Sequence, residues 1–537
     1  MSNKKILILL TVLVTFVSWA LYHHILTNLT LPTWDEAHHA YYGYWLRRAL
    51  VDFDWHSAAR YAYDQVFYPP GQSILIGIFT SFLGFSIKNV RLLSLLTLLP
   101  STLLLYSLAQ SLDKKHGRII GFLSSLVFLT SPIILFFATV AYKEQIGLFL
   151  TLLVLWLYFK AKSERKKIFF ASLAGLTLLF LHLFKYNYGL LVLITLTTIQ
   201  FVRLNPSRIS TLILTLLPSL LGMSLWAFSG PGRTEIIFNW LKNPNQIFLT
   251  KTTPLGHLLF VPQTLLASYA LSPTLAIILV LGFFYVCWQG RTKESFQVHG
   301  FLFLLNGLLL TVQFGNQQER YLFTTFPSFV LLGTSGLVWL WTKIKEKFPL
   351  YLGKSPIRFG FLLSLAIFLL GRATLDLLRL PNLVRAIGSH EIVSPVFNEP
   401  NYQDTPFVFK RSAWPDPVID PNRPSSRDVL DFVMKAVDVA KPIRLVGVCN
   451  EFSPLLFELY FQLERDKPRY QVKNLTAQES IITLEVLPKS QFYTYDYHYS
   501  NAWQLGEVKR LTSDPSLTLV AEKFFPELVL WVRIYQR

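Results

Sequence analysis

Two adjacent carboxylates, Asp35 and Glu36, follow the first long apolar segment of the chain and are the residues best placed to do chemistry. An ionisable group next to hydrocarbon costs about 2.5–3.5 kcal/mol on insertion scales, so its presence usually marks a function. Together with His38 and His39 these carboxylates could bind a divalent cation, although no second pair of His or Cys residues with ligand spacing supports a protein-bound metal. The structural alternative is that Asp35 caps a helix lying on the membrane surface.

Three cationic residues, Arg91, Lys185 and Arg320, lie at the ends of apolar segments further along the chain. Arginine presents a planar fork that fits phosphate oxygens, and lysine presents a compact point charge. The three side chains therefore predict a phosphate-binding set, provided that their segments end on the same side of a membrane. The alternative is that each cation reaches separately toward lipid phosphates at the membrane surface.

The elements that must position these residues are long apolar segments. Of the 537 residues, 52% are hydrophobic and 15% are charged, whereas charged residues make up ~25% of soluble domains. Apolar runs of about 17–25 residues recur, which is the length that crosses a hydrocarbon layer, and they predict a polytopic α-helical membrane protein with about 11 spans. The predicted spans are 6–26, 91–112, 119–137, 145–160, 167–184, 187–203, 209–229, 262–288, 298–314, 321–342 and 358–378.

Basic residues are concentrated in every second loop between the predicted spans. The positive-inside rule places those loops and the N-terminus in the cytoplasm, and it places the acidic pair and the three cations on the outer side. The alternation holds only if the apolar segment 70–85 does not cross, and about 15 residues are too few for a span. We predict that this segment is a re-entrant or juxtamembrane helix on the outer side.

The C-terminal part of the chain, residues 379–537, contains no further apolar span and has a different composition. Its alternating and helical patterns predict a small α/β or α+β domain, which the orientation above places outside the cytoplasm. The chain therefore divides into a transmembrane domain, 1–378, whose first outer loop is 27–90, and this soluble extracytoplasmic domain. The predicted strands are 443–448, 481–486 and 529–535, and the predicted helix is 453–463.

Basic residues are in excess, since 50 Lys and Arg residues against 32 Asp and Glu residues give a net charge of +18. Much of this excess lies in short loops between apolar segments, where it sets membrane orientation and attracts anionic lipid head groups. No helix–turn–helix, RNA-recognition or zinc-finger pattern accompanies it. We therefore expect membrane lipids, and no nucleic acid, as partners of the basic loops.

Short motifs follow one another in a fixed order on the predicted outer side. They are Asp35-Glu36, Tyr68-Pro69-Pro70-Gly71, Arg91-Leu92-Leu93-Ser94, Glu144, Lys185-Tyr186 and Glu319-Arg320-Tyr321. With these motifs in this order, the chain resembles the GT-C superfamily of membrane glycosyltransferases, in the branch of the protein O-mannosyltransferases and the lipid A aminoarabinose transferases. It departs from the family pattern at Gly71-Gln72, which follows the two prolines, and at Lys143-Glu144, where many relatives carry Asp.

The resemblance implies transfer of a sugar from a polyprenyl-phosphate-linked donor to a protein, lipid or glycan acceptor on the outer face of the membrane. Asp35 is then expected to be the base that takes the proton of the attacking hydroxyl, with inversion at the anomeric carbon and an effect of about 10²–10⁴-fold on the rate. Glu36 is expected to orient Asp35 or the acceptor. Arg91, Lys185 and Arg320 are expected to hold the phosphate as it leaves.

The expected substrate cleft is lined by Trp34, Tyr68, Glu144, Tyr186 and Tyr321. Glu144 would pair with a cation, bind sugar hydroxyls or complete a metal site. The implied reaction requires no cofactor, since the lipid phosphate is the leaving group, and a divalent cation is the one cofactor that stays open.

Two alternative functions also stay open. The first is a glycan polymerase or ligase with similar chemistry and a lipid-pyrophosphate donor. The second is a lipid or solute transporter or flippase, which would place charges within spans and pair half-helices broken by Gly or Pro. The charged residues here lie at segment ends on one predicted side, which favours the transferase, and a non-enzymatic scaffold would leave this charge cluster unexplained.

Overall fold

The computed structural model describes most of residues 3–347 and several short segments of the tail. The predicted span 358–378 and the predicted helix 453–463 lie outside the described residues. The described residues are 3–27, 34–65, 68–163, 167–203, 209–229, 233, 260–262, 264–269, 273–289, 293–312, 319–347, 392–393, 408–409, 426–437, 443–446, 480–486, 513–525 and 530–536.

Helices dominate the described part of the chain, and they pack around one extended apolar core. In chain order, they are α1 (Asn3–Thr27), α2 (Trp34–Val51), α3 (Trp55–Tyr63), α4 (Gly71–Leu83), α5 (Ile87–Leu96), α6 (Leu98–Leu112), α7 (Gly117–Leu129), α8 (Pro132–Thr139), α9 (Lys143–Ser163), α10 (Lys167–Phe184), α11 (Tyr186–Arg203), α12 (Ile209–Phe228), a π-helix (Leu265–Tyr269), α13 (Pro273–Trp288), α14 (Glu294–Val312), a 3-10 helix (Glu319–Leu322), α15 (Phe326–Lys347) and α16 (Ser426–Ala436).

Helix α1 carries apolar side chains both on the face that packs into the protein and on the face that does not. Leu10 and Leu21 point into the protein core and are buried, whereas Val12 and Trp19 on other faces of the helix are 59% and 64% exposed. Because the middle of the uncovered face is largely apolar, it is suited to contact lipid chains.

Five described helical segments are long and apolar enough to cross a membrane, and a sixth is added if one bent pair counts as a single span. The total of about 11 spans stays a prediction, because parts of the chain lie outside the described residues. The five segments are Lys4–Leu26, Ile87–Leu112, Lys143–Lys162, Lys167–Phe184 and Ile209–Phe228, and the bent pair is Gly117–Leu129 with Pro132–Thr139.

The predicted span 119–137 is not one straight helix. Helices α7 and α8 meet at an angle of 63°, and the break contains Ser131, whose backbone is extended, followed by Pro132 at the start of α8. Proline disfavours a helical conformation in the residue before it and cannot donate a helical hydrogen bond, which accounts for the bend. The segment that follows α8 reaches the start of α2, where the backbone N–H of Ala141 donates to Glu36.

Two other predicted spans also contain interruptions. The predicted span 91–112 runs through α5 and α6, which are separated by Thr97, a residue whose hydroxyl bonds back to the carbonyl of Ser94 at 2.7 Å. The predicted span 262–288 contains the π-helix and then α13, which begins at Pro273. Apolar composition alone does not reveal such breaks.

The first predicted outer loop folds into three short helices, α2, α3 and α4. Helix α4 has 13 residues, about 20 Å in length, and is too short to cross ~30 Å of hydrocarbon. It packs closely on α2, because a Cβ atom at Gly43 would lie 2.4 Å from Cγ2 of Ile76 and the absence of a side chain permits the approach. The predicted short apolar helix therefore exists and supports α2.

The described tail segments include a four-stranded sheet. Strands β3 (Ile443–Val446), β4 (Ser480–Val486), β5 (Thr518–Phe525) and β6 (Leu530–Gln536) have the order β3-β4-β6-β5, with β3 parallel to β4 and the other pairs antiparallel. The strands predicted at 443–448, 481–486 and 529–535 are confirmed within one or two residues. Helix α16 packs on β5 and β6, and a separate short pair joins β1 (Ile392–Val393) to β2 (Val408–Phe409).

Candidate active site

A cluster of buried charged residues lies at one end of the helical bundle, which we call the charged end. Its members come from five separate parts of the chain and are less than 10% exposed, except Arg320, whose side chain is 16% exposed. Buried charges are stable only when paired or hydrogen-bonded, so their contacts define the site. The members are Asp35 and Glu36 of α2, Arg91 of α5, Lys143 and Glu144 of α9, Lys185 between α10 and α11, and Arg320 of the 3-10 helix.

Asp35 lies in the first turn of α2, where both of its carboxylate oxygens accept hydrogen bonds. The Tyr68 hydroxyl donates to Oδ1 at 2.6 Å, and Nη1 of Arg320 donates to Oδ2 at 2.7 Å. Burial opposes ionisation of Asp35, but the charges of Arg320 and Lys143 and the Tyr68 hydrogen bond outweigh it and hold the pKa of Asp35 below its ordinary value. The carboxylate is therefore ionised at neutral pH, and its contacts are tertiary contacts, since Asp35 lies inside the helix and not at its cap.

Glu36 makes a two-point ion pair with Arg91. Nε and Nη2 of Arg91 donate to the two carboxylate oxygens at 2.8 and 2.9 Å, and Oε1 of Glu36 also accepts the backbone N–H of Ala141 at 2.9 Å. The carbonyl of Ala141 in turn accepts from Nε2 of Gln72 at 3.3 Å. These contacts join α2, α4, α5 and the segment before α9.

Glu144 pairs with Lys185 and approaches Arg320. Nζ of Lys185 lies 2.5 Å from Oε1 of Glu144, and Nη1 of Arg320 lies 3.9 Å from the same oxygen. Arg320 therefore stands between two carboxylates, with the shorter contact to Asp35. The remaining oxygen of Glu144, Oε2, has no hydrogen-bond partner among the described residues.

Lys143 differs from the other cations of the cluster. Its Nζ lies 3.6 Å from the centre of the Tyr68 ring, a cation–π contact, and its side chain is 5% exposed. Arg91, Lys185 and Arg320 each form an ion pair with a carboxylate, whereas Lys143 forms none with a described residue. Lys143 directly precedes Glu144 in the sequence and is not among the predicted site residues.

The backbone around Arg320 is fixed by two neighbouring helices. The Tyr188 hydroxyl of α11 donates to the carbonyl of Arg320 at 3.1 Å, and Nδ2 of Asn306 in α14 donates to the carbonyl of Tyr321 at 2.8 Å. The aromatic ring of Tyr321 lies 5.9 Å from Nζ of Lys185. The 3-10 helix is therefore anchored at its backbone, while the guanidinium of Arg320 projects toward the carboxylates.

The Tyr68-Pro69-Pro70-Gly71 motif brings Tyr68 to the cluster. A Cβ atom at Gly71 would lie 2.6 Å from the carbonyl oxygen of Leu183 in α10, so the start of α4 can approach the end of α10 only because residue 71 is glycine. Lys185 follows two residues after this contact. The departure from the family pattern at residue 71 therefore has a packing reason.

His38 and His39 lie next to the Tyr68 ring, with ring centres 4.9 and 5.4 Å away. Burial and the nearby charge of Lys143 lower the pKa of His38 to about 4 and also lower that of His39, so both rings are neutral at pH 7. Within the described ranges no three His, Cys, Asp or Glu side chains are arranged to hold a metal ion. A divalent cation therefore stays a prediction without a ligand set.

The structure brings eight of the ten predicted site residues into direct contact in this cluster or beside it. Tyr186 lies within electrostatic range of Asp35. Trp34 begins α2, and its side chain lies outside the described residues. Three residues of the site, Lys143, Gln72 and Tyr188, are not among the predicted site residues. Of these, only Lys143 has a signal in the sequence, which is its position next to Glu144 on a predicted outer loop.

Comparison with known proteins gives the following results. Residues 68–229 match the family described as dolichyl-phosphate-mannose-protein mannosyltransferase. The fold is similar to that of ArnT from Cupriavidus metallidurans in the apo state, with a TM-score of 0.59, 13% identity and coverage of 98% of this chain and 97% of that chain. ArnT from the same organism bound to undecaprenyl phosphate gives a TM-score of 0.58 and 12% identity with the same coverage. A search of curated protein sequences finds no match.

The match and the shared fold confirm the predicted resemblance to GT-C membrane glycosyltransferases of the branch that includes the protein O-mannosyltransferases and ArnT. The chain is an integral, multi-pass membrane protein with this fold. At 12–13% identity the two structures show a common fold, and the roles of individual residues have to be argued from the charged end itself.

Proposed function

We propose that this protein is a glycosyltransferase that moves a sugar from a polyprenyl-phosphate donor to a hydroxyl of a protein, lipid or glycan acceptor, with inversion at the anomeric carbon. The observation that carries the proposal is Asp35, an ionised and buried carboxylate among four cations at one end of a membrane bundle. The names of the matched family and of the ligand in the ArnT structure, dolichyl phosphate mannose and undecaprenyl phosphate, support a donor of this class.

The cations of the charged end suit a leaving group that gains negative charge. As the bond between the anomeric carbon and the phosphate oxygen breaks, its electron pair stays on the phosphate. Preorganised cations in a site of low dielectric constant stabilise such charge without reorganisation. Arg320 and Lys185 are the paired cations best placed for this task, because both lie next to Glu144 and Tyr321 and Arg320 is the most exposed member of the cluster.

Asp35 is the proposed base. A base must be ionised before the attack, and the lowered pKa of Asp35 meets that condition. The same low pKa weakens proton transfer, since a base works best when its pKa lies near the working pH. If the donor phosphate draws Arg320 away from Asp35, the largest favourable charge on the carboxylate is lost and its pKa rises. Donor binding would then release one oxygen of Asp35 from its hydrogen bond with Arg320 and would make Asp35 a stronger base.

Glu36 and Arg91 act in this proposal by positioning. Both oxygens of Glu36 are occupied by Arg91, and Oε1 also accepts the Ala141 N–H. A pair engaged in this way holds α2 in place and, through it, Asp35. The predicted roles of Glu36 toward the acceptor and of Arg91 toward the phosphate stay predictions, and each would need this pair to open.

The membrane orientation belongs to the same proposal. The alternation of basic loops supports a cytoplasmic N-terminus, a charged end on the outer face and a C-terminal domain, residues 379–537, outside the cytoplasm. A lipid-linked donor on the outer face would reach the charged end along the bundle from the outer leaflet. Trp34, Tyr68, Tyr186 and Tyr321 are the aromatic residues proposed to line its cleft.

The test is sugar release from a panel of radiolabelled polyprenyl-phosphate sugars by membranes that contain wild type, Asp35→Asn or Asp52→Asn. Asp52 is an exposed carboxylate on the same loop and serves as the matched control. We expect Asp35→Asn to lower transfer by about 10²–10⁴-fold while donor binding is retained, and Asp52→Asn to behave as wild type. Near-normal turnover of Asp35→Asn would remove Asp35 from the role of base. No release from any donor by folded wild type would favour a lipid-pyrophosphate donor or a transporter.

A further inference from the structure

We propose that Lys143 is a direct ligand of the donor phosphate, an assignment that rests on the function proposed above. The sequence motifs select Arg91, Lys185 and Arg320 for this role, yet each of these cations is paired with a carboxylate of the protein. Lys143 is the member of the described cluster whose charge is not matched by an ion pair.

Lys143 carries a buried charge that forms no ion pair with a described residue. Its side chain is 5% exposed, and its ammonium group rests on the face of Tyr68 at 3.6 Å without an ion pair to any described carboxylate. A buried ammonium group loses its hydration and needs a counter-charge to replace it. A ring face replaces only part of that hydration. An anion bound at this position would supply the rest.

The position of Lys143 on its helix also favours an anion. Lys143 is the first residue of α9, a helix of 21 residues. The N-terminus of a helix carries a partial positive charge and free backbone N–H groups, which disfavour a cation and favour an anion. A lysine at this place adds to the helix charge when the site is empty. The same arrangement is favourable when an anion lies between the helix end and the ammonium group.

The formal charges of the cluster fit the charge of the proposed donor. Counted with every Lys, Arg, Asp and Glu side chain ionised, the described cluster has four cations and three carboxylates, and its two histidines are neutral at pH 7. The formal charge of the cluster is therefore one positive charge. A sugar linked through a single phosphodiester carries one negative charge. The cluster is therefore neutral with the donor bound, and Lys143 supplies the charge that makes it so.

Lys143 is also close to the proposed base. The Tyr68 ring contacts its ammonium group, while the Tyr68 hydroxyl donates to Asp35. A phosphate at Lys143 would thus lie beside the carboxylate that is proposed to deprotonate the acceptor. As the glycosidic bond breaks and the phosphate oxygen keeps the electron pair, Lys143 would stabilise the second negative charge.

The experiment compares wild type, Lys143→Gln, Lys143→Arg and Lys88→Gln in detergent solution. Lys88 is an exposed lysine near the start of α5 and is the matched control. Three quantities are measured: the KM for the polyprenyl-phosphate sugar donor, the Kd for polyprenyl phosphate without sugar, and the thermal midpoint with and without polyprenyl phosphate.

We expect Lys143→Gln to raise the donor KM and the Kd for polyprenyl phosphate by at least about tenfold, the scale of losing one hydrogen bond to a charged group. Its midpoint without ligand should stay close to that of wild type, because Lys143 forms no ion pair with a described residue that the substitution would break. Polyprenyl phosphate should raise the midpoint of wild type much more than that of Lys143→Gln. Lys143→Arg should recover part of the affinity, and Lys88→Gln should behave as wild type.

The assignment is overturned if Lys143→Gln keeps a KM and a Kd within about twofold of wild type. A lower midpoint together with unchanged affinity would show that Lys143 is structural and acts by supporting Tyr68. If wild type transfers sugar from none of the donors, the proposed function is overturned. The assignment of Lys143 is tested separately, because the affinities for polyprenyl phosphate do not depend on turnover.

Discussion

The buried pair of Glu36 and Arg91 allows a quantitative prediction about stability. Removing one partner of a buried ion pair costs about 3–5 kcal/mol, because the other charge is left without compensation. Glu36→Gln should therefore destabilise the protein by about this amount, and Arg91→Met should do the same. If the two effects were independent, the double variant would lose about 6–10 kcal/mol.

The contacts of the pair predict a much smaller loss in the double variant. It contains neither charge, and the side-chain carbonyl of Gln can still accept the Ala141 N–H that Glu36 accepts at 2.9 Å. What remains is an amide N–H₂ without its partner, which costs about 1–3 kcal/mol. The double variant should therefore be at least about 3 kcal/mol more stable than the sum of the single variants predicts.

The assay is a double-mutant cycle measured by reversible unfolding in mixed detergent micelles. The ion pair of Arg60 and Asp64 is the control, because its side chains are 73% and 47% exposed, and such helix-surface pairs contribute only about 0.3–0.5 kcal/mol. Additivity of the Glu36 and Arg91 variants within about 0.5 kcal/mol would refute the reasoning, since independent sites add within that margin.

Sugar transfer by the same variants separates positioning from catalysis. If Glu36 acts by holding α2, the double variant should recover a substantial part of the transfer activity that the less stable single variants lose. If Glu36 takes part in the chemistry, every variant without its carboxylate should stay inactive at temperatures where the protein is folded. Recovery in the double variant is the expected outcome.

Two further predictions concern Arg320 and Gly71. Because the pKa of Asp35 lies below its ordinary value of 3.8, the stabilisation that its pairing provides is complete above about pH 4 and is lost as the pH falls toward the lowered pKa. Arg320→Ala removes the largest favourable charge on Asp35, so the pKa of Asp35 should rise and the acid limb of a pH–rate profile of transfer should move to higher pH. An unmoved limb would contradict the assignment of Asp35 as base. Gly71→Ala places a methyl group 2.6 Å from the Leu183 carbonyl oxygen and should lower both the thermal midpoint and transfer. Gly300→Ala, where the nearest atom would be 3.8 Å away, is the control, and equal behaviour of the two variants would exclude the packing explanation.

The positions of the membrane helices could be predicted from composition, because length and apolarity are local properties. The predicted segment 167–184 coincides with α10, and the predicted segment 209–229 differs from α12 by one residue. The bend at Ser131-Pro132 was missed, because an apolar sequence on both sides hides a break that depends on one backbone conformation.

The site could be predicted only as a set of residues and not as a set of pairs. Sequence order and predicted sidedness brought together the acidic pair, Glu144, and the cations Lys185 and Arg320. The pairing is a tertiary property, since the partners of Glu36 and Glu144 lie 55 and 41 residues away. The role of Lys143 could not be predicted from the sequence for the same reason. Its lack of a carboxylate partner becomes visible only when the partners of all the other cations are known.

The distance along the chain between Asp35 and Arg320 has a consequence for biosynthesis. The two residues are separated by 285 positions, and at roughly 5–20 residues per second the ribosome needs about 15–60 s to travel from one to the other. During that interval α2 is already at the membrane, and the carboxylate of Asp35 lacks its strongest ion pair. The nascent protein therefore has to keep this carboxylate hydrated or protonated until the 3-10 helix has been synthesised. A chain that stops before residue 320 would retain an acidic group without this partner at the membrane. Quality control could use this group to distinguish incomplete from complete protein.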